Sequence, residues 1–508
     1  ARDTRGRDGP GPGPGARRRG RAGASGRAPG DEKEYGPLAT DHLRAPCLGL
    51  CERAPAALAI RAGDPVRTAV SAPATTPAAL LAANSPDSAP EEPPAESAVP
   101  QSAEPQAAVP PASVPPASVP QAGRSQLTLL GRIGVVDPAS LDDYRAHGGY
   151  TALRRAFALG PAGVIREVVD SGLVGRGGAA FPTGCTWPAA ASRPDRPHYL
   201  VCAAGDSGPG AFKDRVLLEG DPYALVEAMT IAGYAIGAHQ GYLYVRGEYP
   251  RALSRVRHAV ERARARGLLG DDVLGRGHAF DIEIRRGAGA YVCGEETALL
   301  NSIEGRRGEP RSGPPFPAEK GLFGRPTVVN DVETLLDVLP LLTTGRPAGT
   351  GLFCVSGSVD RPGLYEFPSG VTLGDLLKKA GLRKNLSAVL LGGAAGRFVR
   401  PDEPDLHLPL THEGAVTAFD DTVPLPRLLL RIAQFFREES CGLCVPCRIG
   451  TVRQEEALQR LMEHPNAAAD IPLLRDVGRT MRDASLCGLG QNAWNAVESA
   501  VDRLGVYA

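Results

Sequence analysis

A chain of 508 residues is long enough for roughly two to four domains, and its 57 basic and 57 acidic residues leave no net charge, so no global field points to nucleic acid or a strongly acidic partner. No run approaches the ~18 consecutive apolar residues of a membrane span, and the arginine-rich start lacks the apolar stretch of an export signal. Ten cysteines do not make a disulfide scaffold; the expected compartment is a reducing cytoplasm, where clustered cysteines are more plausibly metal ligands than bridges.

Residues 1–125 are rich in Pro, Ala, Gly and Arg and lack apolar periodicity, so they predict a disordered tail with an extended "PPASVPPASVPQA" stretch. Cys47 and Cys51 in "CLGLC" fall in this tail without partner ligands nearby and make a weak metal pair. From residue 126 to about 345 strands and helices alternate. Ser140 caps a helix running through "SLDDYRAHGGYTALRRAFA", and "HYLVCAA" reads as a strand. "YALVEAMTIAGYAIGA" then reads as an amphipathic helix, "GYLYVRGEYP" as a strand and "RALSRVRHAVERARARG" as another helix. "AFDIEIRRGAGAYV" alternates as a strand does, and the whole order argues for a largely parallel α/β layer. Residues 346–423 predict a small α+β module: two strands around a "DRPG" turn, a helix, and a strand at "AVLLGG". Residues 424–508 predict a helical bundle.

That bundle carries Cys441, Cys444 and Cys447 in "ESCGLCVPCRIGT", with Cys487 of "SLCGLG" as the remaining cysteine nearby. A C-x2-C-x2-C loop wraps three corners of a compact centre, and a remote fourth cysteine completes it. Structural zinc usually takes paired C-x2-C knuckles, whereas this spacing is typical of a [4Fe-4S] cube.

Three glycine-bearing stretches sit where strands would end: "GRGGAAFPTG" (Gly175–Gly184), "GAGAYVCGEETALL" (Gly287–Leu300) and "GRPTVVNDVETL" (Gly324–Leu335). The first could cradle a phosphate on its N–H groups or be a plain surface turn. In the second, Glu295 and Glu296 stand at a helix start, where a structural cap is the bland alternative. In the third, Asn330 and Thr334 could hydrogen-bond a polar ring or a sugar. Lys213 and Arg215 in "KDR" could be solvated charges, and His239 and His412 carry no assigned role.

In order, "GRGGAAFPTG", "GPGAFKDRVLLEGDP", "GAGAYVCGEETALLNSIEGRRGEPR", "GLFGRPTVVNDVETL" and "ESCGLCVPCRIGT…SLCGLG" resemble the NADH-binding flavoprotein (F) subunit of respiratory complex I. That family includes matching subunits of soluble NAD-linked formate dehydrogenases and hydrogenases. The likeness runs from about residue 130 to the C-terminus. It implies a Rossmann-like FMN- and NADH-binding domain (126–345), a soluble-ligand-binding β-grasp domain (346–423) and a helical iron–sulfur domain (424–508).

The implied chemistry is hydride transfer from NADH to FMN, then single electrons to a [4Fe-4S] cluster, with quinone as final acceptor. The resemblance assigns Gly175, Arg176, Gly177, Gly178, Phe181, Thr183 and Gly184 to FMN and NADH, Phe181 stacking on the adenine. It places Tyr291, Gly294, Glu295 and Glu296 along the flavin and nicotinamide, with Tyr291 and Glu295 as positioning groups of the hydride transfer. Asn330 and Thr334 bind FMN with Asp331 beside them, and Cys441, Cys444, Cys447 and Cys487 ligate the cluster. Partner iron–sulfur subunits are implied, a thioredoxin-like one among them, with the complex cytoplasmic and peripheral on the inner face of the membrane.

This chain departs from the family at the flavin. Where the family reads "GFPTGxKW" and "CNADEGEPGTFKDR", Thr186 replaces a lysine, Ala203 an asparagine, Gly205 an aspartate, and Asp206 and Gly208 two glutamates. Asp331 replaces an asparagine. Each lost partner costs about 1–3 kcal/mol if its mate stays buried and unpaired. Two readings therefore stand: an electron-input subunit, or a paralogue with weakened FMN and NADH binding that serves as an iron–sulfur transfer or assembly subunit.

Overall fold

The structure, a computed structural model, describes residues 57–61, 67–71, 119–124, 126–178, 180–382, 385–411, 414–464 and 470–507. Cys47, Cys51 and His412 lie outside them. Two short strands, β1 (Ala57–Arg61) and β2 (Arg67–Ser71), pair antiparallel in the segment whose composition predicts disorder. Packing onto the core starts ahead of residue 126: Val119 and Gln121 are buried. The Gln121 amide donates to Glu366 O (3.2 Å) and accepts from Glu366 N (2.8 Å).

The predicted first helix is two. Ser140 Oγ accepts from Asp143 N and caps α1 (Leu141–Ala146), but the chain turns at Gly148 and Gly149 before α2 (Thr151–Asp170). Gly148 has φ +85°, and a Cβ on Gly149 would strike the Tyr144 ring, so both glycines stop the helix.

The α/β sheet comprises β3 (His198–Ala204), β4 (Ala238–Arg246), β5 (Asp281–Gly287) and β6 (Thr327–Asp331), all parallel, in the order β5-β4-β3-β6. The chain winds outward from β3 to β5 and then returns to the other side of β3. That reversal opens a crevice at the carboxyl ends of the strands, where ligands of such sheets bind. The connecting helices are α3 (Thr183–Ala191), α4 (Lys213–Gly220), α5 (Pro222–Ile236), α6 (Pro250–Ala265), α7 (Glu296–Ile303), α8 (Val332–Leu336) and α9 (Val338–Thr344).

Helix α6 is amphipathic as expected, burying Ala252, Val256, Ala259 and Ala263 on one side. Helix α5 is not: nearly every residue from Pro222 to Ile236 is buried, because it packs against α2, α6 and the sheet together. Its small residues allow that approach, since a Cβ on Gly233 would enter the Phe280 ring. The buried Glu227 of α5 accepts from Tyr144 Oη (2.6 Å), Tyr150 N (2.6 Å) and Leu153 N (3.0 Å), tying α1 and α2 to the core.

A five-stranded sheet follows, ordered β10-β9-β11-β7-β8, from β7 (Thr350–Gly357), β8 (Gly363–Pro368), β9 (Leu386–Leu391), β10 (Arg397–Val399) and β11 (Ala415–Asp420). β11 runs parallel to β7 and the other pairs are antiparallel. Helix α10 (Leu373–Ala380) buries Leu373, Leu376, Leu377 and Ala380 in the core of this β-grasp module.

The carboxyl-terminal helices are α11 (Leu425–Glu439), α12 (Val445–Glu463), α13 (Asp470–Ala484), α14 (Gly488–Asn492) and α15 (Asn495–Leu504). α11 buries Leu429, Ile432, Ala433 and Phe436, a 3.6-residue stripe. Among the described residues no helix is long and apolar enough to cross a membrane.

Candidate flavin cleft and cysteine site

The carboxyl end of the sheet holds an open cleft. Ala203 at the end of β3, with Gly205 and Ser207 after it, forms one wall, Tyr244 and Arg246 come from β4, and Gly289, Ala290, Cys293 and Gly294 come from the loop after β5. Leu299 of α7 closes it. In register, Ala203 lies between Tyr244 of β4 and Asp331 of β6, so the cleft and the third glycine stretch share one edge of the sheet.

Small residues and backbone dominate the lining, and several nearby glycines face open space. A Cβ on Gly178 would meet nothing within 4 Å, one on Gly205 only Arg246 Cβ at 3.9 Å, and one on Gly294 only Ser207 Oγ at 3.3 Å. Gly289 differs: it has φ +83°, and a Cβ there would collide with the Glu248 carboxylate. Only glycine lets this loop cross Glu248.

Of the three glycine stretches, the second alone follows a strand. The first joins α2 to α3, its ends pinned by Gly175 N to Phe181 O (2.9 Å) and Thr183 N to Leu173 O (2.9 Å). In the third, Gly324 precedes β6.

The first loop is bolted to the start of α8. Asp331 caps that helix, Oδ1 accepting from Thr334 N (3.0 Å) and Oδ2 from Thr334 Oγ1 (2.5 Å). Arg176 N donates to Asp331 Oδ2 (3.1 Å) and Thr334 Oγ1 (2.8 Å), while Lys213 Nζ donates to Arg176 O (2.9 Å). The Arg176 guanidinium turns inward, Nε lying 3.5 Å from Asp337 Oδ2. The negative charge gained at Asp331 therefore serves as a helix cap and a loop anchor, where the helix dipole favours it. Asn330 Oδ1 accepts from Trp187 Nε1 (2.9 Å). Phe181 is 60 % exposed at the loop tip, and the Thr183 hydroxyl is buried without a hydrogen-bond partner. Thr186 Oγ1 donates back to Thr183 O (3.1 Å) within α3; Gly184 packs on Val169, where a Cβ would lie 2.9 Å from its Cα.

Lys213, Asp214 and Arg215 are buried, not solvated. Lys213 Nζ also donates to Glu333 Oε2 (2.5 Å). Burial works against its charge, but Glu333, Asp331, Asp214 and Asp206 outweigh it and hold the ammonium protonated. Burial raises Asp214 well above the carboxylate range, with Asp206 adding to the shift and Lys213 opposing it. The "KDR" spelling names these residues but carries no sign of their burial.

Glu295 is the cap of α7: its Oε2 accepts from Ala298 N (2.8 Å) and Thr297 Oγ1 (2.6 Å). Glu296 follows it in the first turn and is exposed. Tyr291 faces the other way, its ring packing edge-on against Phe435 (5.1 Å) and Phe436 (6.0 Å) of α11. Tyr291 N donates to Glu439 Oε2 (2.7 Å). Burial, then Cys487 and Glu439, push the Tyr291 phenol up to about 12. Glu439, two residues ahead of Cys441, carries no signal of this role in the sequence, because its partner lies 148 residues away.

The four cysteines come from two helix starts. Cys444 is the cap residue of α12 and Cys447 lies inside its first turn, so the triplet is part loop and part helix. Cys487 caps α14, where the N–H groups of Leu489 and Gly490 face its sulfur. Gly490 must be glycine, since a Cβ would sit 2.8 Å from Cys447 Cβ. Two helix N-termini and their free N–H groups suit an anionic thiolate centre. Cys447 is buried, which raises its thiol to about 11. The chemistry of an all-sulfur set, three cysteines across a loop and a helix start and a fourth from a separate helix start, suits a four-iron cube.

Residues 168–340 match the Nuo51 FMN-binding domain, 352–384 the SLBB domain, and 427–505 the NADH-ubiquinone oxidoreductase-F iron-sulfur binding region. The NADP-reducing hydrogenase subunit HndC of Solidesulfovibrio fructosivorans is 40% identical over 394 residues, 73% of this chain and 80% of that protein. The F subunit of the NADH-quinone oxidoreductase of Aquifex aeolicus is 40% identical over 384 residues, 72% of this chain and 89% of that protein. Among solved structures, an NAD+-reducing [NiFe]-hydrogenase in the H2-reduced state superposes with a TM-score of 0.73 at 33% identity, covering 91% of this chain and 75% of that one. With these family regions in order and relatives 40% identical over more than 70% of its length, this chain belongs to the family of NADH-quinone oxidoreductase F subunits.

Proposed function

We propose that this chain is the electron-input subunit of a multi-subunit NADH dehydrogenase, oxidising NADH in the sheet crevice and passing electrons to the four-cysteine site. Bound FMN supplies the conversion from two-electron hydride chemistry to single-electron transfer. The observation that carries the proposal is the packing of the cleft loop on the cysteine-bearing helices: that loop passes through Tyr291, whose ring and N–H rest on α11, the helix leading into Cys441.

In this reading Gly177 and Gly178 offer backbone N–H groups to phosphate, and Arg176 and Thr334 hold that loop in place. The exposed Phe181 stacks on the adenine, and Gly294 borders the ring, while Tyr291, turned toward α11, positions that loop from behind. Cys441, Cys444, Cys447 and Cys487 ligate the [4Fe-4S] cluster. No side-chain nucleophile is required, so the protein contributes orientation and the exclusion of water.

Electrons leave toward a partner iron–sulfur subunit, which we take to be thioredoxin-like, in a cytoplasmic assembly held at the inner face of the membrane by its other subunits. Quinone is the final acceptor in this reading; a soluble hydrogenase or formate dehydrogenase is the alternative assembly, in keeping with the hydrogenase relatives. A second reading rests on a separate observation: Ala203 and Gly205 line the cleft with no polar side chain, so flavin affinity is reduced and the iron–sulfur role dominates.

Purified full-length protein decides between the two. Stoichiometric flavin, about four irons per chain as the cube requires and NADH:ferricyanide activity are expected. Iron and sulfide without flavin would sink the electron-input reading and leave the iron–sulfur one.

A further inference from the structure

We propose that Ser440 and Ser485 are hydrogen-bond donors to the sulfurs of the four-cysteine site and that they raise its reduction potential. The inference rests on the cluster reading of that site. Ser440 follows α11 directly and precedes Cys441, and its Oγ lies 3.3 Å from Cys447 Sγ. A cysteine bound to iron is a thiolate with no proton to give, so the serine is the donor at this contact. Ser440 Oγ also accepts from Gly442 N at 3.3 Å, which leaves its own proton for the sulfur.

Ser485 comes from a different segment, the turn between α13 and α14. Its main chain is held on both sides, N donating to Met481 O (3.1 Å) and O accepting from Gln491 Nε2 (3.0 Å). Its hydroxyl has no partner, although the residue is only 7 % exposed. A Cβ on Gly490 would lie 2.4 Å from that Oγ and 2.8 Å from Cys447 Cβ, so the orphan hydroxyl stands beside the same cysteine. Buried hydroxyls without a partner are rare, and a sulfur of the site supplies one. The nearby guanidiniums are engaged elsewhere: Arg448 Nη1 donates to Gly442 O (2.8 Å) and Arg307 Nη2 to Cys441 O (2.6 Å). Taking up one electron from the reduced flavin adds one negative charge to the iron, sulfide and thiolates together. Donors aimed at the sulfurs stabilise that added charge, so the reduced state gains more than the oxidised one and the potential rises.

The test is a mediated redox titration of the full-length protein, read by EPR of the reduced cluster. S440A and S485A are each expected to shift the ratio of reduced to oxidised cluster about tenfold toward the oxidised form. That is a fall in midpoint of about 59 mV for a one-electron couple. S440T and S485T, which keep the hydroxyl, are expected to stay within a few-fold of the unsubstituted protein. Iron and sulfide content should not move. An unchanged midpoint in an alanine variant that holds its iron overturns the donor role of that serine, while leaving the cluster reading intact. Equal falls in the alanine and threonine variants would mark a packing effect and overturn it as well. Iron loss in an alanine variant passes the decision to its threonine counterpart: full iron at an unchanged midpoint supports the proposal, and full iron at a lowered midpoint overturns it. If the unsubstituted protein gives no [4Fe-4S] signal, the cluster reading fails and this inference with it.

Discussion

Asp337 shows how a single buried residue shapes the site. Its side chain is fully buried, accepting from Ala348 N (3.2 Å) and facing Arg176. Burial and then Glu333 raise its pKa to about 7, against the pull of Arg176. The folded value lies above the unfolded one, so the protonated acid is the form that folding favours. Stability from this residue is complete below about pH 4 and is lost as pH rises through about 7. D337N does not titrate there, so it should gain on the unsubstituted protein as pH climbs from about 4 to about 7, by roughly 1.4 kcal/mol for each pH increment of one. Urea unfolding followed by the buried Trp187 measures it, and identical pH dependence in both proteins would contradict the assignment. Neighbouring residues were legible to different degrees. The sequence named Asp331 and Thr334, yet their bonds to Arg176 N depend on a loop more than 150 residues earlier in the chain.

At the scale of elements, the loop after β5 is clasped between the sheet and α11. Glu439 accepts the Tyr291 N–H, and Phe435 and Phe436 flank its ring. Removing the carboxylate leaves a half-buried N–H unpaired, a cost of about 1–3 kcal/mol. E439A should therefore loosen the flavin-side loop from the cysteine-bearing helices. NADH:ferricyanide turnover is expected to persist while reduction of the cluster by NADH, followed by EPR, slows; E439Q should recover part of it. Parallel loss of both rates in E439A would mean that the clasp supports the cleft alone. Helices whose apolar stripes repeat, such as α6 and α11, could be read in advance. Helix α5 reads as amphipathic but is buried all round, because its environment comes from elements on every side.

At the scale of the whole molecule, one surface stands out. Among the described residues, Leu443, Val445, Ile449 and Leu486 are exposed by 45, 58, 47 and 39 % respectively, each within two residues of Cys444, Cys447 or Cys487. Apolar side chains gathered at an electron exit are suited to a partner that must approach closely and exclude water. V445D/I449D should abolish co-purification with the partner iron–sulfur subunit and reduce downstream electron transfer at least tenfold, leaving NADH:ferricyanide activity near its original value. Normal complex assembly by that variant would move the partner surface elsewhere.

The sequence by itself determined the cysteine set, the alternation of strands and helices in the α/β domain, and the family likeness. Those features are local: ligand spacing, periodicity and glycine runs are written in consecutive residues. Tertiary structure alone decided what each charged or polar group does there. It buried Lys213 among carboxylates, made Asp331 a cap and an anchor, and turned Glu295 to its own helix. It also set Ala203 beside Asp331 and Tyr291 against Glu439. Burial and hydrogen-bond partnership arise between segments far apart in the chain, and no local pattern records them.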